Sequence, residues 1–397
     1  MAAEPGNNGD ALIQILESSA VAGFANKAKE RPNRVSPALQ DNIARIPSEL
    51  YDYIIDHLHD DRLALSACTL VCKAWHASST YQLFQNAGTI RVYPTNFQQF
   101  RELRILAGQR LDRCIGRLDV RSGSHKDVGG PENAFHFTDE MKGFQGLLNV
   151  KYLRLTDHTH AHSYETPFTA ILPNLSTITH LELDLSFESF AYFLQLLDTI
   201  PLLRGLALHR PFDQTVNSEP PTPPLRPPFI RRLAIGPLNY SFTSPLRQRA
   251  RIALVSDVLR TLGPRLEHLV ISSRFLLSGC DLSHSTALRT LRINSIQTRG
   301  AWLLDLLSQI RTHVLERIVL VVDLCVGVGL HTFDWPRIVA SLNKLESLRR
   351  VDFFLFSPNE CAVVEEKLGA GIYTLRVTSW EGSQRPQSNY GLEIFEV

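Results

Sequence analysis

Residues 178–208 read ITHLELDLSFESFAYFLQLLDTIPLLRGLAL, and the change of apolar period along them sets the expected fold. Ile178, Leu181 and Leu183 follow a six-residue pattern, apolar-x-x-apolar-x-apolar, whose last two positions share one face of a short strand. Phe187–Ile200 then reads as an amphipathic helix, and Leu203, Leu206 and Leu208 restore the strand pattern. Strand, helix, strand within about thirty residues is a unit too small to bury its own apolar faces, so it calls for neighbours of the same kind.

Those neighbours are present on both sides. The pattern recurs at Ile115–Leu118–Val120, Val150–Leu153–Leu155, Ile230–Leu233–Ile235, Leu266–Leu269–Ile271, Leu288–Leu291–Ile293, Leu315–Ile318–Leu320, Leu348–Val351–Phe353 and Ile372–Leu375–Val377. First positions lie 22 to 36 residues apart. With 44% apolar residues such a template arises often by chance. The segments between the copies add the weight, since Gln248–Leu262, Gly300–Ile310, Asp334–Leu345 and Asn359–Leu368 also read as amphipathic helices. The expectation is an α/β chain with a parallel strand ladder, each repeat supplying one strand and one helix or loop.

This alternation resembles the leucine-rich-repeat family. The resemblance is irregular. The asparagine that normally follows the pattern is absent, its slots holding His158, Ser186, Pro211, Leu238, Arg274, Ile296, Asp323 and Phe356. It implies a solenoid over residues 86–397 whose ladder forms a concave side. Side chains between the apolar sites would line that side: Arg154, His180, Glu182, Arg232, His268, Arg292, Arg317 and Arg350 around a centre of small residues. A partly acidic peptide or protein would fit them as a target. Polar residues are also the default on a solvated strand face, and that reading stays open.

Upstream, residues 1–44 are a Gly-, Asn- and Ala-rich tail with one short amphipathic run, and 45–85 form a distinct helical unit. Its core, residues 46–84, reads IPSELYDYIIDHLHDDRLALSACTLVCKAWHASSTYQLF. Pro47 suits a helix start, and Leu50, Ile54, Ile55 and Leu58 recur at helical spacing. Asp60 and Asp61 can break that helix and cap a second, where Leu65, Cys68, Val71, Cys72 and Trp75 form another stripe; a third short helix is expected at Thr80–Phe84. A unit of 39 residues rarely buries enough surface to stand alone. Its apolar side chains exceed what three short helices can hide, so a partner or the next domain must cover some of them.

The same segment resembles the F-box family, through Ile46–Pro47, Glu49–Leu50, Ile54–Ile55, Leu58 and Val71–Cys72–Lys73–Ala74–Trp75. The resemblance implies docking on a Skp-family adaptor and through it a cullin, with Ile46, Pro47, Leu50, Ile54, Ile55, Leu58, Leu65, Val71, Cys72 and Trp75 as the adaptor-binding residues. It implies a non-enzymatic substrate receptor of a ubiquitin ligase. Two rivals stand beside it: a leucine-rich-repeat scaffold with no ligase role, and a hydrolase hidden in a degenerate α/β domain.

Composition narrows the remaining classes. Forty-one basic against 40 acidic residues leave +1, which gives no global field for gripping nucleic acid or an anionic membrane. Six cysteines without a C-x-x-C pair fit reduced thiols in the cytoplasm or nucleus. No apolar run reaches the length that spans a bilayer, and Glu4 and Asp10 stand where a signal peptide carries basic residues. His158, His160 and His162 alternate beside Glu165, but a loop without a second ligand cluster makes no closed metal site. Pro221, Pro224 and Arg226 give a P-x-x-P-x-R spacing that polyproline-binding domains use, and one that plain stiff loops share. Gly327-x-Gly329 lacks the third glycine of a dinucleotide site, and no nucleophile–base pairing stands out. No cofactor is expected.

Overall fold

The computed structural model describes residues 47–379 apart from several intervals, the longest being 123–143, 158–175, 210–228 and 237–244. The tail 1–44, Ile46, His59, Thr80, Tyr81 and Phe84 of the expected third helix, the histidine run 158–165, the proline-rich insertion up to 228 and Gly327–Gly329 lie outside the described residues.

Eleven strands form one sheet in chain order, every described pair parallel: β1 (Ile90–Val92), β2 (Arg117–Ser122), β3 (Tyr152–Asp157), β4 (His180–Asp184), β5 (Gly205–Leu208), β6 (Arg232–Ile235), β7 (His268–Ser272), β8 (Thr290–Ile296), β9 (Arg317–Val322), β10 (Arg350–Leu355) and β11 (Thr374–Ser379). The register aligns the repeated pattern with itself. Leu118, Leu153, Leu181, Leu206, Leu233, Leu269, Leu291, Ile318, Val351 and Leu375 run across the sheet as one row. Val120, Leu155, Leu183, Leu208, Ile235, Ile271, Ile293, Leu320, Phe353 and Val377 form the next row on the same face. A slip of one residue would turn both rows away from the core, so burial fixes the pairing.

The start of each strand shows how the backbone is satisfied where the ladder begins. The carbonyl of Lys151 accepts from the N–H groups of both Thr179 and His180, and Thr179, Arg204, Arg231, Glu267, Arg289 and Glu316 repeat this double acceptance toward the next strand. Few donors are then left to find water, which a repeating ladder needs wherever it is covered.

Helices lie against the apolar rows. They are α3 (Phe97–Ala107), α4 (Phe190–Asp198), α5 (Pro245–Leu262), α6 (Ser273–Leu277), α7 (Ala301–Gln309), α8 (Trp335–Leu342) and α9 (Pro358–Leu368), preceded by α1 (Ser48–His57) and α2 (Arg62–Cys68). Phe190, Phe193 and Leu197 from α4 and Leu303, Leu306 and Leu307 from α7 join both strand rows in one core. Each such side chain, fully buried, stabilises the fold by about 1.5–3 kcal/mol. Asp334 caps α8 by accepting from the Arg337 N–H at 3.3 Å, and the Trp335 indole donates to the Leu330 carbonyl at 2.9 Å.

Three features differ from the sequence reading. Strand β1 joins the ladder through Ile90↔Leu118 and Val92↔Val120, yet its first pattern position is Ala87, too small to register as apolar. Helix α6 follows β7 without a turn, and its five residues are too few to show a period. The second helix of the N-terminal unit stops at Cys68 instead of carrying the stripe on to Trp75. There the backbone tightens, Leu70 and Val71 donating three residues back to Ala67 and Cys68, while the Thr69 hydroxyl takes the Ser66 carbonyl at 2.7 Å. A hydroxyl bonded back in this way competes with the next helical turn.

Candidate functional site

Two surfaces bring the candidate residues together. The first is the helical pair α1 and α2. Asp61 opens α2 by accepting from the Ala64 N–H at 2.9 Å. Ile55 and Leu65 have no exposed surface; they pack with Leu83, and Leu58 and Trp75 lean on this cluster. Tyr51 meets Trp75 edge-on at 5.8 Å. Asp52 and Asp56 accept from Ser78 Oγ and Gln82 Nε2, both at 2.5 Å, which ties Ser78 and Gln82 to α1.

The opposite faces remain apolar and exposed among the described residues. Leu50 is 51% exposed, Tyr53 61% and Ile54 40%, at the spacing of one α1 face; Leu63 is 78% exposed, Leu70 66% and Val71 62%. A helix with apolar residues on two faces is normally covered on both. Pro47 and Cys72 are exposed. Ile55 and Leu65, expected among the adaptor-binding residues, instead hold the pair together from inside.

The second surface is the sheet face turned away from the helices. Three carboxylates on it are buried: Asp119, Glu182 and Asp352. Each gathers cations. Asp119 accepts from Arg121 at 2.7 Å, with Arg91 at 3.8 Å. Glu182 lies 2.6 Å from His209 Nε2 and 3.4 Å from Arg154 Nε, and the Tyr152 hydroxyl donates to it. Asp352 accepts from Arg317 at 2.6 Å and from Arg350 at 2.8 Å. Arg292 donates to Asn294 at 3.0 Å. Between these nodes Ala207, Ala234 and Val270 form the small-residue centre, a minor apolar cluster of its own.

Arg154, Arg317 and Arg350 are thus held by internal carboxylates, which the sequence reading had placed on the surface as groups for a target. His268 sits beside Arg232 in the register, and His180 lies one strand further, with Gly205 between. Burial, reinforced by Arg232, Arg117 and Arg204, pushes the His180 imidazole down to about 4. Burial and then Arg232 push His268 down as well. Their rings stay neutral at physiological pH.

The sequence reading missed Arg117, Lys151 and Arg204, which stand at the strand starts. The alignment of repeats that gave the inner positions gives these too, by counting one or two places back from each central apolar site.

Among the described residues no group of three or more His, Cys, Asp or Glu side chains is arranged to hold a metal ion, and no helix is long and apolar enough to cross a membrane. Cys68, Cys72 and Cys280 are free thiols. No known family model matches the chain, and no curated protein matches its sequence.

Proposed function

We propose that the chain is the substrate-recognition subunit of a Skp–cullin–F-box ubiquitin ligase. One observation carries the reading: the helical pair leaves Leu50, Tyr53, Ile54, Leu63, Leu70 and Val71 exposed while its inner face is already filled by Ile55 and Leu65. Apolar side chains gathered on short helices are the kind of surface that a partner protein covers. The F-box-like spacing from Pro47 to Trp75 supplies the identity of that partner, a Skp-family adaptor. Leu50, Ile54 and Val71 make the contact, Pro47 sets the chain's entry, and Ile55, Leu58, Leu65 and Trp75 keep the two helices in register.

In this reading the strand ladder is an irregular leucine-rich-repeat solenoid that holds a target protein. The receptor performs no chemistry. By gripping the target at one end and the adaptor–cullin assembly at the other, it raises the local concentration of ubiquitin-loaded enzyme near target lysines.

Co-expression of the full chain with a Skp-family adaptor tests the proposal. Joint purification is expected, and Ile54→Asp is expected to abolish it while leaving the chain folded. Absence of a complex, or a complex indifferent to Ile54→Asp, overturns the ligase role.

A further inference from the structure

Charge on the ladder is distributed unevenly along the strand starts. From β7 to β9 it is compensated: Glu267 lies 3.4 Å from Arg231, Arg289 lies 2.8 Å from Glu316, and Arg317 lies 2.6 Å from Asp352. From β2 to β5 it is not. Arg117, Lys151 and Arg204 are exposed and form no ion pair among the described residues.

The register gives these cations a common geometry. Arg117, Tyr152, His180, Gly205 and Arg232 occupy one row across five neighbouring strands, and Lys151 and Arg204 directly precede two of its members. At about 4.8 Å between strands, Arg117 and Arg232 start roughly 19 Å apart. An extended peptide crosses that distance in about six residues. Gly205 puts no side chain into the row between His180 and Arg232, and its backbone is buried there.

We infer that the starts of β2–β5 dock an extended, Asp- and Glu-rich segment of the target protein, with Arg117, Lys151 and Arg204 as the surrounding cations. The inference rests on the ladder being the target-binding part of a receptor. Charge complementarity selects the occupant, and the carboxylates at Glu267 and Glu316 end the positive stretch, which limits it to a short segment. A nucleic-acid strand, tracking phosphates over a longer path, would meet those acids. His180 acts as an internal probe of the field, since the same arginines help keep its ring neutral.

The test uses the full chain and a fluorescein-labelled oligoglutamate, with binding read by fluorescence anisotropy at low and high salt. The wild type is expected to bind, less tightly as salt rises, and an oligoglutamine of equal length to bind negligibly. Arg117→Ala combined with Arg204→Ala is expected to weaken binding at least about tenfold, and Arg289→Ala, on the compensated side, by less than about twofold. Thermal melts check that the variants fold; should the double variant be unstable, Lys151→Ala carries the same expectation at about threefold. Undiminished binding by these variants, no binding by the wild type, or binding confined to a phosphopeptide or an oligonucleotide overturns the inference. Adaptor co-purification, measured on the same variants, is expected to be unchanged. Its loss in the wild type with oligoglutamate binding intact would remove the ligase role and leave the docking surface standing.

Discussion

Arg317 donates from Nε to Asp352 at 2.6 Å, diagonally across the register that sets Arg317 directly opposite Arg350. Like charges facing each other on adjacent strands destabilise a sheet. Here Arg350 donates to the other oxygen of the same carboxylate at 2.8 Å, so one buried acid neutralises a pair that would otherwise repel. The pattern recurs around Asp119 and Glu182. Carboxylates on the polar face therefore act as internal fasteners, and the arginines they hold are part of the fold before they are part of any interface.

Asp352→Asn keeps the shape and removes the charge. Two arginines then remain opposite each other without their acid. Removing one partner of a buried pair costs about 3–5 kcal/mol, and the partial exposure of both guanidinium groups lowers this to about 2 kcal/mol. Urea unfolding is expected to show a lower midpoint with an unchanged slope. A midpoint equal to wild type would mean that Asp352 holds nothing in place.

His180 supplies a pH dependence with a definite sign. Its ring is pushed down to about 4 in the folded chain, by burial first and neighbouring arginines second, against 6.5 when unfolded. Between those values the unfolded chain binds more protons, so this residue's contribution is fully present above 6.5 and is lost as pH falls toward 4. After screening at a ring open to water on one side, the loss is on the order of 2 kcal/mol. Carboxylates titrate in part of the same window, so the measurement is a difference. His180→Gln is expected to flatten the stability–pH curve between pH 6.5 and 4 relative to wild type, and parallel curves would contradict the argument.

Ile54 and Ile55 are neighbours with opposite assignments. Ile55 is fully enclosed with Leu65 and Leu83, whereas Ile54 faces outward. Ile55→Ala removes buried methyl groups and is expected to cost about 2–4 kcal/mol, read as faster amide exchange along α1 and α2. Ile54→Ala is expected to change exchange little, by within about 0.5 kcal/mol. Equal effects would show that the second face is covered within the chain after all.

The ladder was legible because its signal is repeated. Ten copies of one pattern fell on β2–β11, and five amphipathic segments fell on α4, α5, α7, α8 and α9 within a few residues of their ends. Strand β1 escaped because Ala87 replaces a large apolar residue, and the break after Cys68 escaped because Thr69 ends the helix with a side-chain bond that periodicity does not record. The polar face was half legible. Its positions could be counted from the pattern, but which arginines meet carboxylates depends on diagonal neighbours such as Arg317 and Asp352, 35 residues apart in sequence. Only the register brings them together.

Glu182, on β4, draws on both neighbouring strands at once and offers the sharpest test of that register. Tyr152 on β3 donates to it, Arg154 on the same strand lies 3.4 Å away, and His209, just past β5, lies 2.6 Å away. Glu182→Ala leaves a phenol, a guanidinium and an imidazole without their common acceptor. The expected cost is about 3 kcal/mol. Tyr152→Phe removes a single donor and keeps the acid paired with Arg154 and His209, so it is expected to cost about 1 kcal/mol. In the double variant the phenol no longer has an acceptor to lose, and the two costs are expected to fall short of adding. Strict additivity would separate Tyr152 from Glu182 and with it undo the pairing of β3 with β4 in the stated register.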